Sequence, residues 1–408
     1  MATDQSKFTR RNFLKTACAT GVGAVLAPAG KQARAAIEAA QNEMPSGVVP
    51  TRPFGKSGVN VSILSLGGMF DIPNNQLLMK QAVRWGVTYW DTADCYEGGD
   101  SEKGIGKYFK KYPQERERIF LVSKSDARDP QGMTRLLDRS LDRMNTSYID
   151  LYFIHGVRKI KELNEQTRQW AAQAKADGKI RLFGFSTHRN MEQLLLDAAK
   201  RDWIDGIMMT YNYRLMHSAR MQAAVAACVK AGIGLTAMKT QGGGSVKTSS
   251  ETELELAGRF LRKGYTDKQA KLKAVWENPH IASICSQMPN LTILSANTAA
   301  AMNQTRLSQR DMDLLQAYAG ETTCDYCAGC GHICEAAVQE RVPVADIMRY
   351  LMYHRSYGEH ERAKALFREL PLETRQRLLA VDYTVAEQRC PQKMAIGKIM
   401  HKAARDLA

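Results

Sequence analysis

The chain has 408 residues, 44% of them hydrophobic and 24% charged, with a formal net charge of +15. That length and apolar content exclude a disordered chain and allow a full-sized core, with room for one large domain and a smaller one. The charge does not single out nucleic acid as a partner. Part of it sits near the start, in Lys7, Arg10, Arg11, Lys15, Lys31 and Arg34 against Asp4, and elsewhere cations interleave with acids, as in "EHERAKALFREL". No basic run alternates with aromatic residues as a strand-binding groove requires.

In chain order, "TRRNFLKTACATGVGAVLAPAGKQARAA" comes first. Arg10 and Arg11 precede Asn12, Phe13, Leu14 and Lys15, then a mildly apolar stretch, then small residues at Ala33 to Ala35. The stretch contains Pro28 and is shorter and less apolar than the roughly 20 residues a spanning helix needs. From Thr9 to Lys15 it resembles the twin-arginine (Tat) signal-peptide consensus position by position. The resemblance implies a signal peptide over residues 1–36, the Tat export machinery as a partner, and passage in folded form to a periplasmic or other extracytoplasmic location. Residues 37–50 read as a linker ending near Pro50.

Over residues 51–300, short apolar runs recur: "VSILSLGG", "VTYWDTA", "RIFLVSK", "YIDLYFIHG", "RLFGFS", "GIMMTYN", "GIGLTAMK" and "IASICSQM". Between them lie amphipathic stretches such as "MTRLLDRSLDRMN", with apolar residues three and four apart. Runs that are apolar throughout suit strands buried on both faces, as in a parallel sheet. Eight of them alternating with helices predict an α/β fold, a (β/α)8 TIM barrel. A doubly wound sheet fits less well, because "LGGMFDIP" after the first strand lacks a Gly-rich nucleotide fingerprint.

A barrel places its chemistry at the carboxyl ends of the strands. Asp91, Lys124 and His155 occupy three consecutive strand ends, and Tyr96 lies in the loop after Asp91. Singly these read as a helix cap, a loop charge, a core histidine and a packed aromatic; together they predict one site. Cys95, Cys228 and Cys285 are scattered and are expected to be buried apolar residues.

At these residues the sequence resembles the aldo-keto reductase superfamily. "DTADCY" is similar to the family's Asp-Thr-Ala-x-x-Tyr stretch, "SK", "LYFIHG", "GFSTH" and "AMK" follow in its order, and "FGKSGVNVSILSLGG" resembles its opening hairpin and first strand. The likeness covers roughly Arg52 to Asn297. It implies carbonyl–alcohol interconversion, with Tyr96 as general acid, Lys124 and Asp91 supporting the phenol, and His155 orienting the carbonyl. A phenol with a pKa of about 10 is a weak acid for that task unless its anion is stabilised, which Lys124 beside it can do. The resemblance also implies NADP(H) or NAD(H), held by Ser186 and Asn212 near the nicotinamide carboxamide, by Ser286, Asn290 and Asn297 at the phosphates, and by Lys239. Here the chain departs from the family pattern: Gln287 replaces the usual Gly, and no Lys or Arg stands between Ser286 and Asn297 to meet a 2'-phosphate.

A connecting helix is expected over residues 301–323 and a small helical cysteine-rich region over 324–408. "TTCDYCAGCGHICE" holds Cys324, Cys327, Cys330 and Cys334 within eleven residues. Disulfides are disfavoured because thiols so close form strained bridges, and structural zinc generally uses two separated pairs. The C-x2-C-x2-C-x3-C spacing is that of iron–sulfur ligation and predicts a 4Fe-4S cluster on these four, with Cys390, which precedes Pro391, as a rival for the fourth place. "VPVADIMRYLMY" and "RCPQKM" resemble the ferredoxin-like tails found on one branch of the same superfamily. The functional expectation is an exported oxidoreductase with an auxiliary cluster and a redox partner protein. The alternative is a non-catalytic or electron-transfer barrel whose cluster carries the redox function.

Overall fold

The computed structural model of the protein describes residues 47–243 and 251–408; the leader assigned to residues 1–36 and most of the linker lie outside them. Strands β1 (Thr51–Pro53) and β2 (Asn60–Ser62) form an antiparallel hairpin. Eight parallel strands then close a barrel: β3 (Leu64–Gly67), β4 (Tyr89–Asp91), β5 (Phe120–Ser125), β6 (Ile149–Ile154), β7 (Ile180–Thr187), β8 (Gly206–Thr210), β9 (Gly234–Met238) and β10 (Ile281–Gln287), with β10 pairing β3. All eight expected runs supply a barrel strand, so the fold is the (β/α)8 barrel. One boundary differs: Val61 and Ser62 of "VSILSLGG" belong to the hairpin, and the barrel strand starts at Leu64.

The apolar runs form strands because both faces are covered. Tyr89, Val122, Leu151, Phe153 and Met208 fill the interior, while the opposite faces pack on the helices. Phe54, fully buried between the hairpin strands, plugs the amino-terminal end. A Cβ at Gly234 would stand 2.5 Å from its ring, which requires glycine there. The outer helices follow local rules. Asp129 caps Pro130–Met144 by accepting from the Gly132 amide, Pro130 takes the first turn, and Met133, Leu137, Leu141 and Met144 are buried.

Beyond the helices Leu291–Met302 and Gln309–Glu321, the tail has its own core, built on Val342, Ile347, Leu351, Phe367, Tyr383, Met400 and Leu407. The tail is anchored on the loops at the carboxyl end of the barrel. Arg189 after β7 pairs with Glu335 and, at 2.7 Å, with Asp346; Arg158 reaches Asp346 at 3.0 Å; and Asn190 N–H donates to the Gly329 carbonyl at 2.8 Å. Among the described residues, no helix is long and apolar enough to cross a membrane.

Candidate active site

Strand register assembles the site. Asp91 lies opposite Val122, so Asp91 and Lys124 sit two residues beyond the interior residues Tyr89 and Val122 and share their inward face. His155 stands in the same relation to Phe153. The Lys124 ammonium, 1% exposed, uses its three donors on Asp91 Oδ2 at 2.7 Å, the Thr92 carbonyl at 2.7 Å and the Tyr96 phenol oxygen at 3.2 Å. The Tyr96 and His155 rings meet edge to face, with centroids 5.9 Å apart. The four predicted residues therefore converge on one mouth.

Burial opposes charge on Lys124, but Asp91 and the Tyr96 phenol outweigh it and raise the ammonium above its ordinary value. The phenol moves the same way. Burial raises Tyr96 by more than Lys124 lowers it, and Asp91 adds to the rise. Lys124 thus moderates the acid's shift without bringing it below the usual tyrosine value. Cys285 on β10 donates its thiol to Asp91 Oδ2 at 3.6 Å, while Asp91 Oδ1 is buried without a hydrogen-bond partner among the described residues.

Cys95 departs from expectation. It is exposed at the mouth, beside Asp126 and His155, because the loop carrying Tyr96 turns its neighbour outward. Cys228 is buried as expected. The mouth opens into a cavity of about 910 Å³ lined by Cys95, Tyr96, Asp126 and His155 from the barrel and by Arg349 and Tyr353 from the tail.

The residues expected around a nucleotide fall into two groups. Ser286 accepts from Asn297 Nδ2 at 3.0 Å, and Asn290 caps helix Leu291–Met302, whose first amides form an anion-attracting terminus. This end offers backbone donors to an anion. At the other end Ser186 is buried on β7 and accepts from the Gly156 amide at 3.1 Å. Asn212 donates to the Lys239 carbonyl at 3.1 Å and to the Tyr326 phenol at 2.9 Å, and Lys239 lies over the Tyr353 ring at 4.3 Å. A nicotinamide that uses Asn212 has to displace Tyr326. Neither Tyr326 nor Tyr353 stands out in sequence as a site residue. Asp126 and Cys95 could have been found, since Asp126 lies two residues after the strand-end Lys124 and Cys95 directly precedes Tyr96 in its loop.

In the tail, Cys327, Cys330, Cys334 and Cys390 line one narrow, almost wholly apolar cavity together with Pro391, Met348 and Met394. Cys324, expected among the first four ligands, is exposed and lines a neighbouring cavity with Tyr326 and Lys239. The fourth thiol lining the first cavity is that of Cys390. The Gly329 amide points at the Cys327 sulfur, and Gly329 adopts φ +78°, which only glycine takes freely, against the His188 carbonyl. Four thiols from two segments, apolar walls and an amide aimed at sulfur make a donor set of the kind that iron–sulfur clusters use.

Comparison with known proteins agrees with the barrel. The Aldo/keto reductase family model matches residues 65–310, well over half of the chain, and the protein belongs to that family of oxidoreductases. The uncharacterized oxidoreductase YqkF of Bacillus subtilis is 25% identical over 299 residues, covering 65% of this chain and 95% of that protein. Among solved structures, the holo form of aldo-keto reductase AKR11C1 from Bacillus halodurans has the same fold at 24% identity and TM-score 0.56, covering 66% of this chain and 96% of its own. The thermostable aldo-keto reductase Tm1743, solved with the inhibitor epalrestat, shows 26% identity and TM-score 0.56 over 66% and 99%. Aldo-keto reductases use NADP(H) or NAD(H), and a small-molecule carbonyl or alcohol substrate fits the family. The cysteine-rich tail lies outside the family-matched range.

Proposed function

We propose that the protein interconverts a small carbonyl compound and its alcohol at the barrel mouth, on an exported chain whose tail carries one 4Fe-4S cluster. The observation that carries the catalytic reading is the Lys124 ammonium bridging Asp91 and the Tyr96 phenol. A bound nicotinamide nucleotide supplies or accepts the hydride. In this reading Ser286, Asn290, Asn297 and the adjoining helix terminus hold its phosphates, and Ser186 and Asn212 its nicotinamide end once Tyr326 gives up Asn212, with Lys239 beside them. In reduction, Tyr96 gives its proton to the carbonyl oxygen, and Lys124, kept charged by Asp91, limits the cost of the phenolate left behind. His155, beside Tyr96, donates to the same oxygen and orients it. In oxidation Tyr96 takes the alcohol proton.

The test is Tyr96→Phe, which keeps the ring and removes the proton. It should lower carbonyl reduction by at least about 10²-fold while leaving nucleotide binding intact. Unchanged turnover would sink the assignment.

The cluster reading assigns Cys327, Cys330, Cys334 and Cys390 as ligands. It is supported by their shared cavity; the tail spacing by itself points to Cys324 in place of Cys390. Protein purified without air should hold about four irons and four acid-labile sulfides per chain. Cys390→Ser should lose iron and Cys324→Ser should keep it; the reverse pattern would move the fourth ligand to Cys324, and one zinc without sulfide would end the cluster reading. The export reading rests on Arg10 and Arg11. Cluster assembly needs reduced thiols, so loading before folded transport is the consistent order. Arg10→Lys with Arg11→Lys should therefore trap a cluster-containing precursor in the cytoplasm.

A further inference from the structure

Three side chains at the barrel mouth form a second grouping, which shares His155 with the proposed reaction and adds Cys95 and Asp126, to which that reaction assigns no part. The ligating atoms of Cys95, Asp126 and His155 all lie within 4.8 Å of one another. Cys95 Sγ is 3.8 Å from His155 Nδ1, which is 3.2 Å from Asp126 Oδ1. Zinc bonds of about 2.3 Å to sulfur and about 2.0–2.1 Å to nitrogen or oxygen put tetrahedral donors roughly 3.3–3.6 Å apart. The Cys95–His155 and His155–Asp126 separations are within a few tenths of an ångström of that range, and Cys95 and Asp126 lie close enough for one ion to reach all three after small side-chain rotations.

We propose that Cys95, Asp126 and His155 bind one divalent transition ion of the zinc class, with its fourth position open to the mouth cavity. The donor set is one thiolate, one imidazole and one carboxylate, which borderline ions accept and magnesium or calcium do not. Three protein ligands with an open position differ in kind from the four-thiol cavity of the tail. On binding, the Cys95 thiol loses its proton to solvent and the ion takes His155 through Nδ1, leaving the Nε2 proton as a hydrogen-bond donor.

Neighbouring groups permit this. Asp94 is paired with Arg139 at 2.9 Å. Arg128 pairs with Glu162 at 2.9 Å and donates to the backbone carbonyls of Asp126 and His155, so the Asp126 carboxylate is left facing His155. Glu97 and Arg349 also line the cavity, and Arg349 is engaged with Asp346 at 3.1 Å. The simpler arrangement is a metal-free Asp126–His155 hydrogen bond that orients the imidazole.

The experiment uses untagged, full-length, cluster-loaded protein and Zn²⁺. Zinc per chain is measured by equilibrium dialysis, and alkylation of Cys95 by iodoacetamide is followed by peptide mass with and without zinc. The expected result is one zinc per chain that slows Cys95 alkylation at least about tenfold, with affinity falling at least about tenfold in Cys95→Ser and in Asp126→Asn. The alkylation readout in the unmodified chain needs no variant to fold. Equal alkylation rates with and without zinc, or a zinc affinity in both variants equal to that of the parent chain, overturns the site. A changed pH–rate profile in Asp126→Asn with no change in zinc binding also overturns it and assigns Asp126 to positioning His155.

Discussion

The carboxamide of Asn212, at the end of β8, donates a hydrogen bond to the phenol oxygen of Tyr326 across 2.9 Å. One partner belongs to the barrel and the other stands within the cysteine motif, next to Cys327. The contact places the tail on the nicotinamide end of the proposed nucleotide site. Tyr326→Phe keeps the ring and removes the bond, which is worth about 0.5–1.5 kcal/mol. Nucleotide affinity should rise roughly 2- to 10-fold, measured by fluorescence titration of the variant against the parent. Unchanged or weaker binding would mean that the nucleotide does not compete for Asn212.

The phosphate end sets a second expectation. With no Lys or Arg between Ser286 and Asn297, any preference for NADPH over NADH should stay within about tenfold, or about 1.4 kcal/mol. The same titration with both nucleotides measures it. A much larger preference would show that a cation from another segment reaches the 2'-phosphate.

Lys124 and Asp91 form a buried pair at 2.7 Å, with side chains 1% and 3% exposed. Lys124→Met removes one charge and strands the other, which costs about 3–5 kcal/mol when a buried pair is broken. Denaturant unfolding should report a loss in that range. A loss under about 1 kcal/mol would mean that water or a rearranged neighbour compensates Asp91.

The pH behaviour of Tyr96 follows from the sign of its shift. Burial raises the phenol above its ordinary value, so its protonated form persists to higher pH than in a free tyrosine. As the folded-state value is raised, no loss of the acid form is expected below about pH 10. An ultraviolet difference titration of the parent against Tyr96→Phe isolates this group. A phenolate that appears below about pH 10 in the difference signal would contradict the shift.

The barrel was legible in the sequence because strands buried on both faces have to be apolar along their whole length, and a local pattern records that directly. Asp91, Lys124, Tyr96 and His155 were legible for a related reason: strand ends fix where polar side chains emerge, and barrel closure brings those ends together. Spacing also indicated a four-thiol site in the tail. Which four thiols share a cavity was a different matter, since sequence separation restrains near neighbours and says little about a cysteine far along the chain. Packing within the tail core turns Cys390 into the cavity and leaves Cys324 outside. Likewise Asn212 and Tyr326 lie 114 positions apart, and only the anchoring of the tail through Arg189, Arg158 and Asn190 brings them into contact. The sequence alone determined the barrel and which polar residues stand at its strand ends, because both follow from the local pattern of the strands. Tertiary structure decided what covers those residues and which cysteines meet, because both depend on contacts between segments that no local pattern encodes.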